Sequence, residues 1–195
     1  MQAKNDFLSA ETLVEIPHLV SRYEIDPTHA SAQFKVRHLM VSSVRGELGE
    51  VTGVVRLDNT DITRSSVNAT IDVTAISTRN ADRDAHLRSA DFLDVESFPN
   101  LTFRSTRIEL ADRGRLRVIG DLTIRGTTNE VGLMVELSEE IRDPWGNVKR
   151  GATATTRIDR KDFGVSWNAV MDAGGVVVSD TVDIAIELQL VRRPL

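Results

Sequence analysis

Cysteine is absent from this chain of 195 residues. That excludes disulfides and thiolate metal sites, and it permits a reducing compartment. No apolar run approaches the roughly 20 residues of a membrane-spanning helix. The N-terminus, MQAKNDFLSAETLVEIPHLV, lacks the basic start and unbroken apolar core of a secretion signal, so with Met1 as the native start the expected compartment is the cytoplasm. A surplus of positive charge is missing too. The net charge is −5, and only four of the 24 basic residues are lysine (Lys4, Lys35, Lys149 and Lys161). Such a balance argues against nucleic acid as the main partner.

The usual signatures of chemistry are equally scarce. The four histidines, His18, His29, His38 and His86, form no HExxH or HxH pattern, and no acidic cluster at short spacing completes a metal-ligand set. No G-x-S-x-G elbow marks a nucleophile, and no glycine-rich phosphate loop leads from a strand into a helix. No cofactor, metal or catalytic residue is expected.

What the chain does have is alternation of apolar and polar residues with a period of two, in eight stretches. The last is the most regular: Val182, Ile184, Ile186, Leu188 and Leu190 interleave with Thr181, Asp183, Ala185, Glu187 and Gln189. Strand side chains point to opposite faces in turn, so each stretch predicts one dry and one wet face. The first stretch places Ala32, Phe34, Val36 and His38 on the dry face. Val51–Leu57, Val67–Val73, Leu101–Phe103, Leu116–Ile124, Val131–Leu137 and Gly151–Ile158 supply the others. Turn chemistry at Asp112-Arg-Gly114, Arg125-Gly126 and Asp143-Pro-Trp-Gly-Asn147 implies antiparallel neighbours.

Only residues 77–100 break the rhythm. Arg79–Arg88 contains neither proline nor glycine, which predicts one or two short helices ending before Pro99. Residues 1–21 read as an N-terminal extension in which Ser9–Val20 could form a short helix, and residues 22–195 as one domain.

An all-β chain of this kind forms a sandwich or a barrel. The mixture of small inward residues (Gly53, Ala69, Ala152, Ala154) with large ones, and an aromatic content of only 5%, favour an eight-stranded antiparallel barrel whose inside is not densely filled.

The densest polar cluster is Arg83-Asp84-Ala-His86-Leu-Arg88-Ser-Ala-Asp91. On a helix Asp84 and Arg88, and likewise Asp82 and His86, are spaced to pair. His86 and Asp84 could act as acid–base residues, or the cluster could cap the barrel mouth. His38, inward by parity, is either a satisfied core residue or a polar handle in an apolar cavity.

With these residues laid out, the chain resembles the YceI-like family of lipocalin-like isoprenoid-binding proteins over about residues 22–192. The resemblance is carried by Asp26-x-x-His29, Phe34-x-Val36-x-His38-Leu39 and Val44-x-Gly46. It continues through Ile71-Asp72-Val73-x-x-Ile76-x-Thr78, Arg83-Asp84-x-His86-Leu87-Arg88-Ser89-x-Asp91-Phe92 and Phe98-Pro99-x-x-x-Phe103. It ends with Gly120-Asp121-Leu122-Thr123-Ile124-Arg125-Gly126 and Arg160-x-Asp162-Phe163-Gly164. Leu93 stands where relatives often have a second phenylalanine, and Ala30 where they often have serine.

The resemblance implies a lipocalin-like barrel that binds, carries or stores a polyprenyl chain or isoprenoid quinone without catalysis. An enzyme acting on such a lipid through His86 and Asp84 is the alternative. The expected ligand wall includes Phe34, Val36, Ile71, Val73 and Phe103, with Leu122, Leu133 and Ile184 from later strands. Leu87, Phe92 and Trp167 are expected beside the ligand as well. Arg83, His86, Arg88 and His38 are candidates for the head group. Besides the lipid, transient membrane contact without a span and a homodimer are the partners considered.

Overall fold

In the computed structural model, residues 20–39, 41–169 and 177–194 are described. The expected N-terminal helix lies outside them except for its last residue, Val20. Among the described residues, eleven strands form one sheet. They are β1 (Val20–Ile25), β2 (Ser31–His38), β3 (Ser42–Glu47), β4 (Glu50–Asp58), β5 (Ser66–Asp72), β6 (Asn100–Leu110), β7 (Leu116–Ile124), β8 (Thr127–Leu137), β9 (Ile141–Arg142), β10 (Val148–Asp159) and β11 (Val178–Arg193). The single α-helix described, α1 (Ala81–Arg88), lies inside the interval expected for it.

Eight of the strands close into a ring in the order β11-β1-β4-β5-β6-β7-β8-β10, with β10 pairing back onto β11. Every pairing is antiparallel. Closure leaves the ring itself without an edge.

The long β11 organises one side. Its edge toward β10 is paired from Thr181 to Val191. Along its other edge β1 and β2 lie end to end, β1 against Leu190–Arg193 and β2 against Val178–Glu187. The break between them is a turn at Pro27–His29. Asp26 caps it by accepting from the Thr28 backbone and hydroxyl, and bonds His29 Nδ1 at 3.0 Å.

β3 and β4 break at the same level. There Gly49, at φ +143°, lies so close to the Asp72 carbonyl that a Cβ would overlap it. Beyond these breaks β2, still paired with β11, and β3 extend the sheet outside the ring as a hairpin, and among the described residues β3 is the end strand of the sheet. The segment after β5 fills the gap, with Glu47 and Ser77 exchanging backbone hydrogen bonds.

The turns follow local chemistry. Arg125 (φ 49°) and Gly126 (φ 73°) form the two-residue link between β7 and β8, both residues left-handed as a type I′ turn requires. A register shift between Ser105 and Arg107 inserts an extra residue in β6. It turns the inward parity from odd (Leu101, Phe103) to even (Ile108).

The expected strands are all present, and three more join them. β1 begins at Val20, within the stretch read as an extension. β3 has one large apolar residue, Val44, and β9 is two residues long.

Candidate functional site

The inward residues of β4 to β8, β10 and β11 do not meet in the middle. They enclose a cavity of about 130 Å³. By the same measure one water needs roughly 10–15 Å³, so this space is about ten times larger. Its wall runs from Val51, Ile71 and Leu101 near one end to Leu57, Ile108 and Leu116 near the other. Six residues of strand separate Val51 from Leu57, a span of roughly 20 Å.

Among the described residues, no charged side chain lines the cavity. Two of its three polar residues are engaged elsewhere: the Thr156 hydroxyl donates to the Gly132 carbonyl at 2.9 Å, and the Ser65 hydroxyl accepts from the Asp58 N–H at 3.0 Å. An apolar enclosure of this kind stays dry and admits hydrocarbon rather than water.

Of the expected ligand wall, Ile71, Phe103, Leu122, Leu133 and Ile184 line the cavity. The remainder lie around the closed end beneath α1. Phe34, Val73 and Phe92 are buried in the core there, with Val36, Leu87 and Trp167 packed against it. His38 is half-buried at the end of β2, opposite Ser42 and Val178, outside the cavity lining.

The ends of β5, β7 and β10 meet at this closed end, together with the chain segments that follow them. Asn80 caps α1 by accepting from the Arg83 N–H at 2.9 Å. Asp84 turns inward and accepts from both the backbone and hydroxyl of Thr78. Burial alone would raise its pKa. The Thr78 hydroxyl and N–H, the Asn80 N–H environment and the Arg83 charge outweigh that and hold it below the ordinary carboxylate value.

Arg83 donates to the Thr78 hydroxyl at 2.7 Å and its carbonyl at 3.1 Å, and Arg88 to the Ile76 carbonyl at 3.2 Å. The expected Asp84–Arg88 pair therefore gives way to contacts that tie α1 to the 76–78 segment. The expected Asp82–His86 pair gives way likewise: His86 Nε2 meets Asp91 at 2.9 Å. Its ring stands edge-on to Phe92 (4.9 Å) and Trp167 (4.7 Å). Asp84 and His86 thus face different partners, with no acid–base dyad between them.

One residue of this end had no role assigned from sequence. Arg160 is buried, and its guanidinium donates to the carbonyls of Ser179 (3.0 Å), Val165 (2.7 Å) and Trp167 (2.8 Å), and to Asp180 (3.3 Å). Desolvation lowers its pKa, opposed by Asp180 and Asp159. Asn168 completes the link through Val178 N–H and carbonyl. Only the Arg160-x-Asp162-Phe163-Gly164 motif pointed here, and a motif does not tell a staple from a ligand contact.

Among the described residues, no group of three His, Asp or Glu could hold a metal ion. No described helix is long and apolar enough to cross a membrane.

A closed antiparallel barrel around an apolar lumen, plugged at one end, defines a lipocalin-like class of protein. The chain belongs to the YceI-like family, whose domain model matches residues 23–190. A UPF0312 protein of Vibrio cholerae is 36% identical over 173 residues, covering 88% of this chain and 87% of the relative. One from Shewanella baltica is 34% identical over 188 residues, covering 95% and 96%.

Among solved structures, BcnA of Burkholderia cenocepacia superposes with a TM-score of 0.74 at 21% identity, covering 85% of this chain and 98% of that one. A polyisoprenoid binding domain from Saccharophagus degradans, implicated in plant cell wall breakdown, does so with a TM-score of 0.63 at 13% identity, covering 88% and 98%. At those identities the likeness shows the fold.

Proposed function

We propose that this protein binds a long-chain isoprenoid lipid, a polyprenyl chain or isoprenoid quinone, in the barrel lumen, and carries or stores it without chemical change. The observation that carries this reading is the enclosed, charge-free cavity lined by aliphatic residues of seven strands. The polyisoprenoid binding domain that shares the fold supports it.

Burial contributes about 0.8 kcal/mol per CH₂. A five-carbon isoprene unit is therefore worth roughly 4 kcal/mol before chain ordering and lost motion are subtracted. Two or three units held in such a lumen suffice for tight binding without a special motif. A wall of aliphatic side chains with only three hydroxyl residues and no charge grips a tail and does not select a charged head group. The non-catalytic reading is supported by the separate engagement of Asp84 and His86, each holding a neighbouring loop.

The test is mass spectrometry of a solvent extract of the protein purified from bacteria, beside the Ala154→Phe variant. Ala154 lines the lumen, and a phenyl group there occupies the guest's space. We expect an isoprenoid in the wild-type extract and a strongly reduced amount in the variant. An empty wild-type extract, with no rise in melting temperature on adding a polyprenyl alcohol, ends the proposal.

A further inference from the structure

We propose that the outer face of β2, β3, β10 and β11, with the β2–β3 hairpin tip, docks onto anionic phospholipid membranes. This rests on the reading of the lumen as a lipid site, because a guest insoluble in water is collected from a bilayer. Lys35, Arg37, Arg45 and Arg157 converge on one shallow depression in which Asp183 is the single carboxylate among the described residues. The register brings them together. Lys35 stands opposite Arg45 on one side and Asp183 on the other, and Asp183 stands opposite Arg157.

Arg157 holds Asp183 at 2.6 Å. Lys35, Arg37 and Arg45 are all exposed beside that pair. The local surplus of three positive charges runs against a chain whose net charge is −5. Like charges directly opposite on neighbouring strands are destabilising, so the Lys35–Arg45 juxtaposition carries a cost that Asp183, on the other side of Lys35, offsets in part. Guarding a free edge accounts for Arg45 on β3. It does not account for Lys35 and Arg157, whose strands are paired on both sides.

The hairpin leading away from this face ends in exposed apolar side chains, Val41 (80% accessible) and Leu39 (37%). Cations flanking a protruding apolar tip match the interface of a bilayer with anionic head groups. No aromatic residue lies in the depression to stack on a nucleic-acid base.

The experiment is co-sedimentation of the full chain with phosphatidylcholine vesicles, with and without phosphatidylglycerol. Wild type should bind only the anionic vesicles and release them as salt rises. Lys35→Gln with Arg45→Gln should bind roughly thirtyfold more weakly, and Val41→Ser a few-fold, each with its melting temperature retained. Trp145→Ser, which removes an 83% accessible ring at the opposite end, should change nothing.

Equal binding to neutral and anionic vesicles, unchanged binding by the Lys35/Arg45 variant, or a Trp145-dependent contact overturns the proposal. So does charge-dependent capture of RNA in place of vesicles. The same samples are extracted for guest lipid. A guest-loaded protein blind to vesicle charge overturns this surface alone, whereas charge-dependent binding by a protein that holds no guest and gains no melting temperature from a polyprenyl alcohol supports the surface and overturns the reading of the lumen.

Discussion

The lumen and the plug of the barrel are stabilised by opposite means. Along the lumen, aliphatic side chains face a space they do not fill, and no charged group is present. At the end under α1 the interior is packed, and buried polar groups hold it: Arg160 on four carbonyls, and Asp84 on Thr78. The contrast teaches a division of labour. The plug must be specified in one arrangement, which directional hydrogen bonds achieve. The wall needs only to be greasy and roomy, which any well-patterned set of strands provides.

The sharpest way to break this comparison is to remove Arg160. Arg160→Met keeps the aliphatic stem but orphans the carbonyls of Val165, Trp167 and Ser179. Urea unfolding should show a loss of about 3–5 kcal/mol. Arg160→Lys should recover little, since an ammonium lacks the planar fork. Amide exchange should rise first in residues 163–169. A loss below about 1 kcal/mol would mean that the plug is held by packing instead.

Equal deletions in the plug and on the lumen wall come next. Ile76→Ala, at a plug residue that is 2% accessible, should lose both transfer energy and packing, near 3–4 kcal/mol. Leu133→Ala, on the lumen wall, enlarges a void that already exists, so the loss should fall near the lower limit of about 2 kcal/mol. With guest bound the gap between the two should shrink, because Leu133 then loses a contact as well. Equal losses in the empty protein would refute the preformed lumen.

The third effect is on acid stability. Asp26 is depressed to about 2 by hydrogen bonds from Thr28, His29 and Gln189, against some desolvation. Asp143 is likewise depressed to about 2 by Asn147 and Lys149. A depressed carboxylate contributes stability above its unfolded value of about 4, and that contribution is lost as pH falls toward the folded value. Unfolding midpoints should therefore be level above about pH 5 and fall between about pH 4 and 2. Asp26→Asn should flatten part of that fall. Since no lumen residue titrates in this window, guest retention should follow global unfolding and not precede it.

The wall was legible in the sequence because period-two alternation survives in the fold: Val131, Leu133, Val135 and Leu137 all line the cavity, as do Ile184, Ile186, Leu188 and Leu190. β3 was illegible because its inward positions carry Gly46, where a Cβ would strike Phe34 and Ser77, and only one large apolar residue. Ile108 breaks the parity of Phe103 through a bulge that no local signal marks. The polar cluster of α1 was visible, but its partners were not. Helical spacing joins Asp84 to Arg88, whereas the fold offers each a better partner in the preceding segment, at Thr78 and Ile76. The basic outer face is assembled from Lys35, Arg45 and Arg157, which only strand register brings together.

The smallest effect tests the rim of the plug. The His86 ring meets Phe92 and Trp167 edge-on, and each such contact is worth about 0.5–1.5 kcal/mol. His86→Leu keeps comparable bulk and should lose about 1 kcal/mol. Asp91→Asn weakens only a contact between side chains 40% and 55% accessible, so its loss should stay under about 0.5 kcal/mol. Neither should change the identity of the extracted lipid, since neither residue lines the lumen. A changed guest in His86→Leu, at unaltered stability, would instead put the imidazole in contact with the lipid and make the plug part of the binding site.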